Sequence, residues 1–193
     1  MRIATLDDLG PVVATLTESF FGDPLMTWAF PEPSVRAQRL STLWRYMAEF
    51  VYLPGGVCTT TEDHSAVALW RDPSNLRSEE FRDIRGVEFY EAMHGDLDRI
   101  STMGRAMAQQ HPVDPHWYLL AVGVLPEHQG RGLGGDLLNF TLKDLLPAHM
   151  PAYLEATSSR SRTLYRRLGF EELSEFVAED SPPLWGMWFT DTK

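Results

Sequence analysis

Trp117-Tyr118-Leu119-Leu120-Ala121-Val122-Gly123-Val124 runs without a charge into Leu125-Pro126-Glu127-His128-Gln129, and then into Gly130-Arg131-Gly132-Leu133-Gly134-Gly135-Asp136-Leu137-Leu138. The first eight residues read as a buried β-strand and the last as the opening of a helix, with a glycine-rich turn between them. Glycines at 130, 132 and 134 let backbone N–H groups converge on one point without interference from Cβ atoms. The helix N-terminus adds about half a positive charge at the same place. Together they make an anion site suited to a phosphate or pyrophosphate, with Arg131 and Gln129 as side-chain donors. The plainer alternative is a tight strand–helix connection.

Working outward, the last third alternates between the two periodicities: helix at 132–146, strand at 152–156, a short helix at 161–168, and strands at 171–177 and 185–190. Upstream, Leu9, Val12, Val13, Leu16 and Phe20 keep the rhythm of one helical face, with Thr5 and Asp8 spaced like a capping box before it. Leu40, Leu43, Trp44, Met47 and Val51 repeat that rhythm up to Pro54-Gly55-Gly56. Two β-branched runs, 57–61 and 66–70, flank a turn-like Glu62-Asp63-His64-Ser65 and predict a hairpin. The 78–110 stretch is helical in pattern and interrupted by Gly86, Gly95 and Gly104. Interleaving of this kind predicts a mixed α/β (α+β) fold around one central sheet.

The whole composition is compatible with that. The 193 residues carry 17 Lys and Arg against 27 Asp and Glu, a formal charge of −10, with 44% hydrophobic residues. An acidic balance argues against nucleic-acid binding, which needs a basic surface, and favours a cationic partner. A single cysteine, Cys58, excludes an internal disulfide framework and a cysteine-rich zinc module, and no metal site is expected. No apolar stretch is long enough to span a bilayer, and the first residues lack a signal-peptide core. With no repeat, low-complexity tract or Gly/Ser linker, the expectation is one cytoplasmic domain over 1–193, its motif core at about 116–190 and 78–112 a substrate-side helical segment.

Gly130-x-Gly132-x-x-Gly135, with Glu155 further on, also satisfies a dinucleotide-binding pattern. The context disagrees: five residues including a proline separate the strand from the first glycine, and the motif sits late in the chain instead of opening a domain. A P-loop fails because no Gly-Lys-Ser/Thr follows. The better description is Gln129-x-x-Gly132-x-Gly134 after a strand ending Val122-Gly123-Val124. In this the sequence resembles the GCN5-related N-acetyltransferase (GNAT) family, whose (Gln/Arg)-x-x-Gly-x-(Gly/Ala) loop holds the pyrophosphate of acetyl-CoA. Leu164-Tyr165-Arg166-Arg167-Leu168-Gly169-Phe170 is similar to the Leu-Tyr-x-x-x-Gly-Phe that ends that family's last helix. More narrowly, Trp117-x-Leu-x-x-Val-Gly-Val-x-Pro-x-His-Gln-Gly-x-Gly-Leu-Gly134 and Leu154-Glu155 resemble the puromycin N-acetyltransferase-like branch.

The resemblance implies the GNAT acyl-CoA N-acyltransferase fold: a mixed, mostly antiparallel sheet flanked by helices and splayed at the cofactor strand. It implies acetyl-CoA as co-substrate, direct acetyl transfer to a primary amine, and a cofactor site of Val122, Gly123, Val124, Gln129, Gly130, Arg131, Gly132, Leu133, Gly134, Gly135, Ser158 and Tyr165. Backbone groups of 122–124 would pair with the pantetheine arm at a bulge. Gly123 inside an apolar strand independently marks a bulge or a close backbone approach. Tyr165 matches the tyrosine that faces the CoA sulfur; its least role is a hydrogen bond to the thiolate, its largest a proton transfer.

A protonated amine must lose a proton before it attacks, and Glu155 is the candidate base, with His116 and His111 behind it and Glu127 more plausibly solvated. Ser158 stands where many relatives have an asparagine, and either contacts the cofactor or N-caps the following helix. Arg160 and Arg162 are within range of the ribose 3′-phosphate or lie on the surface. For the amine, Trp28 and Tyr90 are the foremost wall residues, with Trp44, Phe89 and Met93 as further candidates set against ordinary core packing. Asp23, Asp96 and Asp98 are placed to attract a cation. The amine itself, whether antibiotic or metabolite, is set by pocket residues and not by fold. A non-catalytic acyl-CoA-binding module and a protein or peptide amine acetyltransferase stand as alternatives.

Overall fold

The computed structural model describes residues 1–75, 89, 91, 93, 97–147 and 149–190. Strands β1 (Arg2–Ile3), β2 (Gly56–Thr60), β3 (Ala66–Arg71), β4 (Trp117–Val124), β5 (Ala152–Ala156), β6 (Glu171–Phe176) and β7 (Leu184–Phe189) form one sheet in the order β1-β2-β3-β4-β5-β7-β6. All neighbours pair antiparallel except β4 and β5, which run parallel. Helices α1 (Leu9–Phe20), α2 (Pro24–Ala29), α3 (Pro33–Met47) and α4 (Leu97–Gln110) lie before β4 in the chain, and α5 (Leu133–Phe140) and α6 (Ser159–Arg167) after it. The mixed, mostly antiparallel sheet flanked by helices is the architecture expected from the sequence.

Side-chain alternation along the strands divides the core into two layers. Cys58, Val67, Leu69 and Ala121 pack with α1, α2 and α3 on one face. Ala66, Ala68, Trp70, Trp117, Leu119, Leu154 and Met187 pack with Leu137 and Leu138 of α5 and Tyr165 of α6 on the other. The helices expected around 9–20 and 40–51 are present; α3 begins earlier, with Pro33 in its first turn and the Glu32 carboxylate accepting from the Ser34 amide. It then passes through a π turn at Ala48–Tyr52 before reaching Pro54. Two elements go beyond the sequence reading, the two-residue β1 and the single-and-a-half-turn α2, both too short to show a periodicity.

Candidate active site

The site begins where two parallel strands part. Strands β4 and β5 pair only at Trp117↔Ala152, Tyr118↔Tyr153 and Leu119↔Leu154, and beyond that point each continues without the other. The cause is a bulge. The β3 register jumps from Leu69↔Ala121 to Trp70↔Leu119, which leaves Leu120 as the extra residue. Leu120 and Ala121 consequently pack toward the same layer. A two-sided gap opens between the strands, its apex at Leu120 and Glu155.

The bulge is at Leu120 and not at Gly123, which stays in register with Val67. Gly123 is instead a close-approach position: a Cβ there would lie 3.0 Å from Ser19 Cβ and Oγ and 3.1 Å from Leu16 Cδ2 of α1. The Leu125 amide donates to the Ser65 carbonyl. Counting back by twos, Gly123 directs its backbone groups toward β3, whereas Val122 and Val124 direct theirs into the gap. Of the three residues expected to meet the pantetheine arm, Gly123 therefore presents no backbone group to it.

At the mouth of the gap, Gly130 and Gly132 have φ of 78° and 88°, a region that side chains resist. Gly132 is the N-cap of α5 and supplies no side-chain acceptor, so the first amides of the eight-residue helix have no side-chain cap. Gly134 and Gly135 bring this helix end against Val124 and Leu164. Gln129 departs from expectation. Its side-chain amide donates to the Val124 carbonyl at 3.0 Å and its oxygen accepts from Arg160 at 2.8 Å, while its backbone N–H closes the turn on Pro126. Its side chain braces the strand end against the loop and Arg160. Arg131 is exposed and lines a recess of about 450 Å³ with His128, Glu62 and Asp63. Arg162, the other proposed phosphate ligand, is held by Glu172 and stacks over Trp185. Ser158 is an N-cap: its hydroxyl accepts from the Ser161 amide at 3.1 Å.

Two carboxylates flank the gap. Glu155 is the first β5 residue past the last pair, and its side chain is 1% exposed. One of its oxygens accepts from the Tyr118 hydroxyl at 2.8 Å. The other accepts no hydrogen bond within 3.5 Å among the described residues; the buried Tyr153 hydroxyl stands near the carboxylate as a donor, and His111 Nδ1 lies 3.8 Å from this oxygen. Burial and the Glu155 charge together push the Tyr118 and Tyr153 phenols up, so both stay protonated donors. Gly186 on β7 makes room for the Tyr153 hydroxyl, which a Cβ would approach to 2.8 Å. Tyr165 lies on the opposite face, on α6, with its ring 5.9 Å from that of Phe170. Burial, and secondarily the charge of Asp23, push its phenol pKa up.

Asp23 is the second carboxylate and is half-buried. It N-caps α2, accepting from the amides of Leu25 and Met26, and takes a hydrogen bond of 2.6 Å from Thr157 just beyond β5. Burial raises its pKa against the lowering effect of those bonds. Asp-Pro before an apolar run is a signal that could have found this helix start, but nothing local points to the Thr157 bond or to the charge effect on Tyr165.

The remaining substrate-side candidates separate. The Trp28 indole donates to Asp180 at 2.9 Å and is covered by the Arg99 guanidinium at 5.4 Å, which joins α2, α4 and the β6–β7 loop at the rim. Trp44 packs at a tilt against Phe20 in the core, Phe89 likewise against Tyr46, and Met93 is fully buried. These three are packing residues. Asp98 is an exposed residue of α4, and Glu127 is exposed in the loop. Tyr90 and Asp96 lie outside the described residues, as do residues 78–88, 92, 94 and 95 of the 78–112 segment.

A splayed β4–β5 pair above an uncapped glycine-rich helix start defines an acyl-CoA-dependent N-acyltransferase. Comparison with known proteins agrees. The profile of the acetyltransferase (GNAT) domain matches residues 80–172. An uncharacterized N-acetyltransferase of Schizosaccharomyces pombe is 23% identical over 176 residues, 84% of this chain and 70% of the relative. Among solved structures, one described as histone acetyltransferase HPA2 and related acetyltransferase, from Corynebacterium glutamicum, is 30% identical with a TM-score of 0.74, covering 100% of this chain and 96% of that one. Arylalkylamine N-acetyltransferase 2 of Aedes aegypti shares the fold at 18% identity and a TM-score of 0.58, over 98% of both chains. The chain belongs to the GNAT family of N-acetyltransferases. Among the described residues no helix is long and apolar enough to cross a membrane, and no group of acidic, histidine or cysteine side chains is arranged to hold a metal ion.

Proposed function

We propose that the protein transfers the acetyl group of acetyl-CoA to a primary amine of a small molecule. The observation that carries this reading is Glu155, a carboxylate withdrawn from solvent at the apex of the gap with one oxygen unclaimed. A lone buried carboxylate oxygen is costly unless it has a charged or proton-bearing partner to receive. An amine entering from the α1–α4 side supplies one. The arylalkylamine acetyltransferase with the same fold acts on amines, which is compatible with this acceptor class.

The residues present fit the CoA ligand. The amides of Leu133, Gly134 and Gly135, with Gly130, Gly132 and Arg131 around them, would hold the pyrophosphate. Backbone groups of Val122 and Val124 would take the pantetheine amides, with Gln129 keeping the end of β4 in place. Bound acetyl-CoA supplies an acyl thioester. Glu155 takes the proton from the ammonium, directly or through a water, so that the nitrogen lone pair is free. Tyr165 keeps its own proton and donates a hydrogen bond toward the departing sulfur. The surplus of carboxylates over the whole chain favours a cationic acceptor over an anionic one.

The test is thiol release from acetyl-CoA across a panel of small amines and of peptide N-termini and lysines. Turnover with a small amine is expected, falling by about 10²–10⁴-fold in Glu155→Gln. Turnover only with peptides would move the acceptor to the protein class. CoA binding without turnover on any amine would make the protein a binding module.

A further inference from the structure

Behind Glu155 lies a second pair of titratable side chains. His116 is 1% exposed, and its Nδ1 lies 2.6 Å from the Asp114 carbonyl oxygen. A carbonyl only accepts, so this nitrogen carries the proton, and burial keeps the ring neutral. Nε2 of His116 is then an acceptor. It sits 3.0 Å from Nε2 of His111, which must be the donor. A neutral His111 is thereby left with a bare Nδ1, and that atom is the one 3.8 Å from the unclaimed Glu155 oxygen. Two lone pairs facing each other are unfavourable, and a single proton between them removes the conflict. The His111 side chain is 24% exposed, so the chain of groups starts in a dry site and ends at solvent.

We propose that His111, oriented by His116, is the proton exit from Glu155 during acetyl transfer. The inference rests on the reading of Glu155 as the base. The ammonium N–H bond breaks, its electron pair stays on nitrogen, and an O–H bond forms at Glu155. That O–H then breaks as the proton passes to Nδ1 of His111, giving an imidazolium that keeps its Nε2–H bond to His116. The proton leaves to water from the exposed ring, and the carboxylate is restored. No other reactant is needed.

The surrounding groups favour this order. The rings of Tyr118 from β4 and Tyr153 from β5 stand edge-on to His111 at 4.9 and 5.0 Å, and Trp188 of β7 closes the far side of His116 at 5.3 Å. Both phenols stay protonated next to Glu155 and cannot act as acceptors for its proton. Tyr52 after α3 is likewise pushed up by burial, and Arg71 of β3 is a permanent cation in its vicinity. Tyr52, Tyr118 and Tyr153 are buried, whereas the His111 side chain has access to solvent.

Two measurements decide the matter. In wild type at a pH where the rings are neutral, ¹⁵N imidazole spectra should show His116 as the Nδ1–H form and His111 as the Nε2–H form. A His111 protonated at Nδ1 in the neutral ring overturns the proposal, whatever the activity. In His111→Ala, turnover should fall by about 100-fold, the low end for a positioned proton-transfer group, and recover in proportion to added imidazole. His111→Gln, which keeps a polar side chain, should be as impaired as His111→Ala while melting as wild type does. Full turnover in either variant, or a loss that imidazole leaves untouched, overturns the relay. If wild type acetylates no amine, the parent reading fails separately, and the tautomer measurement still decides how the pair is wired.

Discussion

Tyr165 shows how a shielded site limits what a residue can do. The phenol is buried on α6 with the Asp23 charge nearby, and both effects oppose ionisation. An ordinary phenol titrates near 10 and a thiol near 8.5, so a phenol holds its proton against a thiolate, and burial raises the Tyr165 phenol further. The proton therefore stays on oxygen, and the Tyr165 contribution is a hydrogen bond to developing charge on sulfur. Tyr165→Phe should lower kcat by about 100-fold, as for loss of one donor aimed at transition-state charge, with the KM for acetyl-CoA little changed. Because the pKa is raised, the donor form persists to higher pH than for a free phenol. The wild-type profile of kcat/KM should then show no alkaline fall from this group below pH about 10. A fall near pH 9 that disappears in Tyr165→Phe would show that the hydroxyl ionises and would restore full proton transfer as its role.

At the scale of elements, the gap depends on how α1 presses on β4. Ser19 is fixed by its own bond to the Thr15 carbonyl at 2.6 Å, so it cannot swing away from a new methyl group at 123. Gly123→Ala should destabilise the fold by about 1–3 kcal/mol through overpacking. Combining it with Ser19→Gly should recover part of that loss, giving a coupling energy of at least about 0.5 kcal/mol in a double-mutant cycle by denaturant titration. Strict additivity would show that the two elements do not meet there. The same contact shows what sequence could and could not disclose. The apolar run 117–124, the glycines after it and the Leu-Tyr…Gly-Phe end are local patterns, and each led to the right element. Gly123 was legible as a special position, but a glycine in a strand has the same signature for a bulge and for a crossing helix. The bulge itself falls at Leu120, a residue with no distinguishing chemistry. Gln129 and Arg162 read as phosphate ligands by type, yet Val124, Arg160 and Glu172 claim them, and those partners come from other elements. His111 and Glu155, 44 positions apart in sequence, are brought together only by the β4–β5 pairing.

For the whole molecule, the decisive fact is that the gap interrupts a sheet that is otherwise continuous from Arg2 to Phe189. Beyond Leu119 and Leu154 the two halves of the sheet share no ladder, and α1, α5 and α6 hold them at a fixed separation. The halves still share both core layers: Ala121 of β4 and Leu184 of β7 lie in one cluster, and Leu119 and Met187 in the other. Neither half buries its apolar side chains without its neighbour, and we therefore expect the chain to unfold as one unit despite the missing ladder. A CoA ligand would bridge the two edges and should stabilise both together. At 100 times its dissociation constant it should add about 2.7 kcal/mol, a shift of roughly 5–11 °C for a chain of this size. Calorimetry should show one transition moving as a whole, and changing Gly132 to alanine should abolish most of the shift by straining the φ of 88° and closing the anion cradle. Two transitions, with only the later one responding to CoA, would show that the strands before the gap fold independently of those after it.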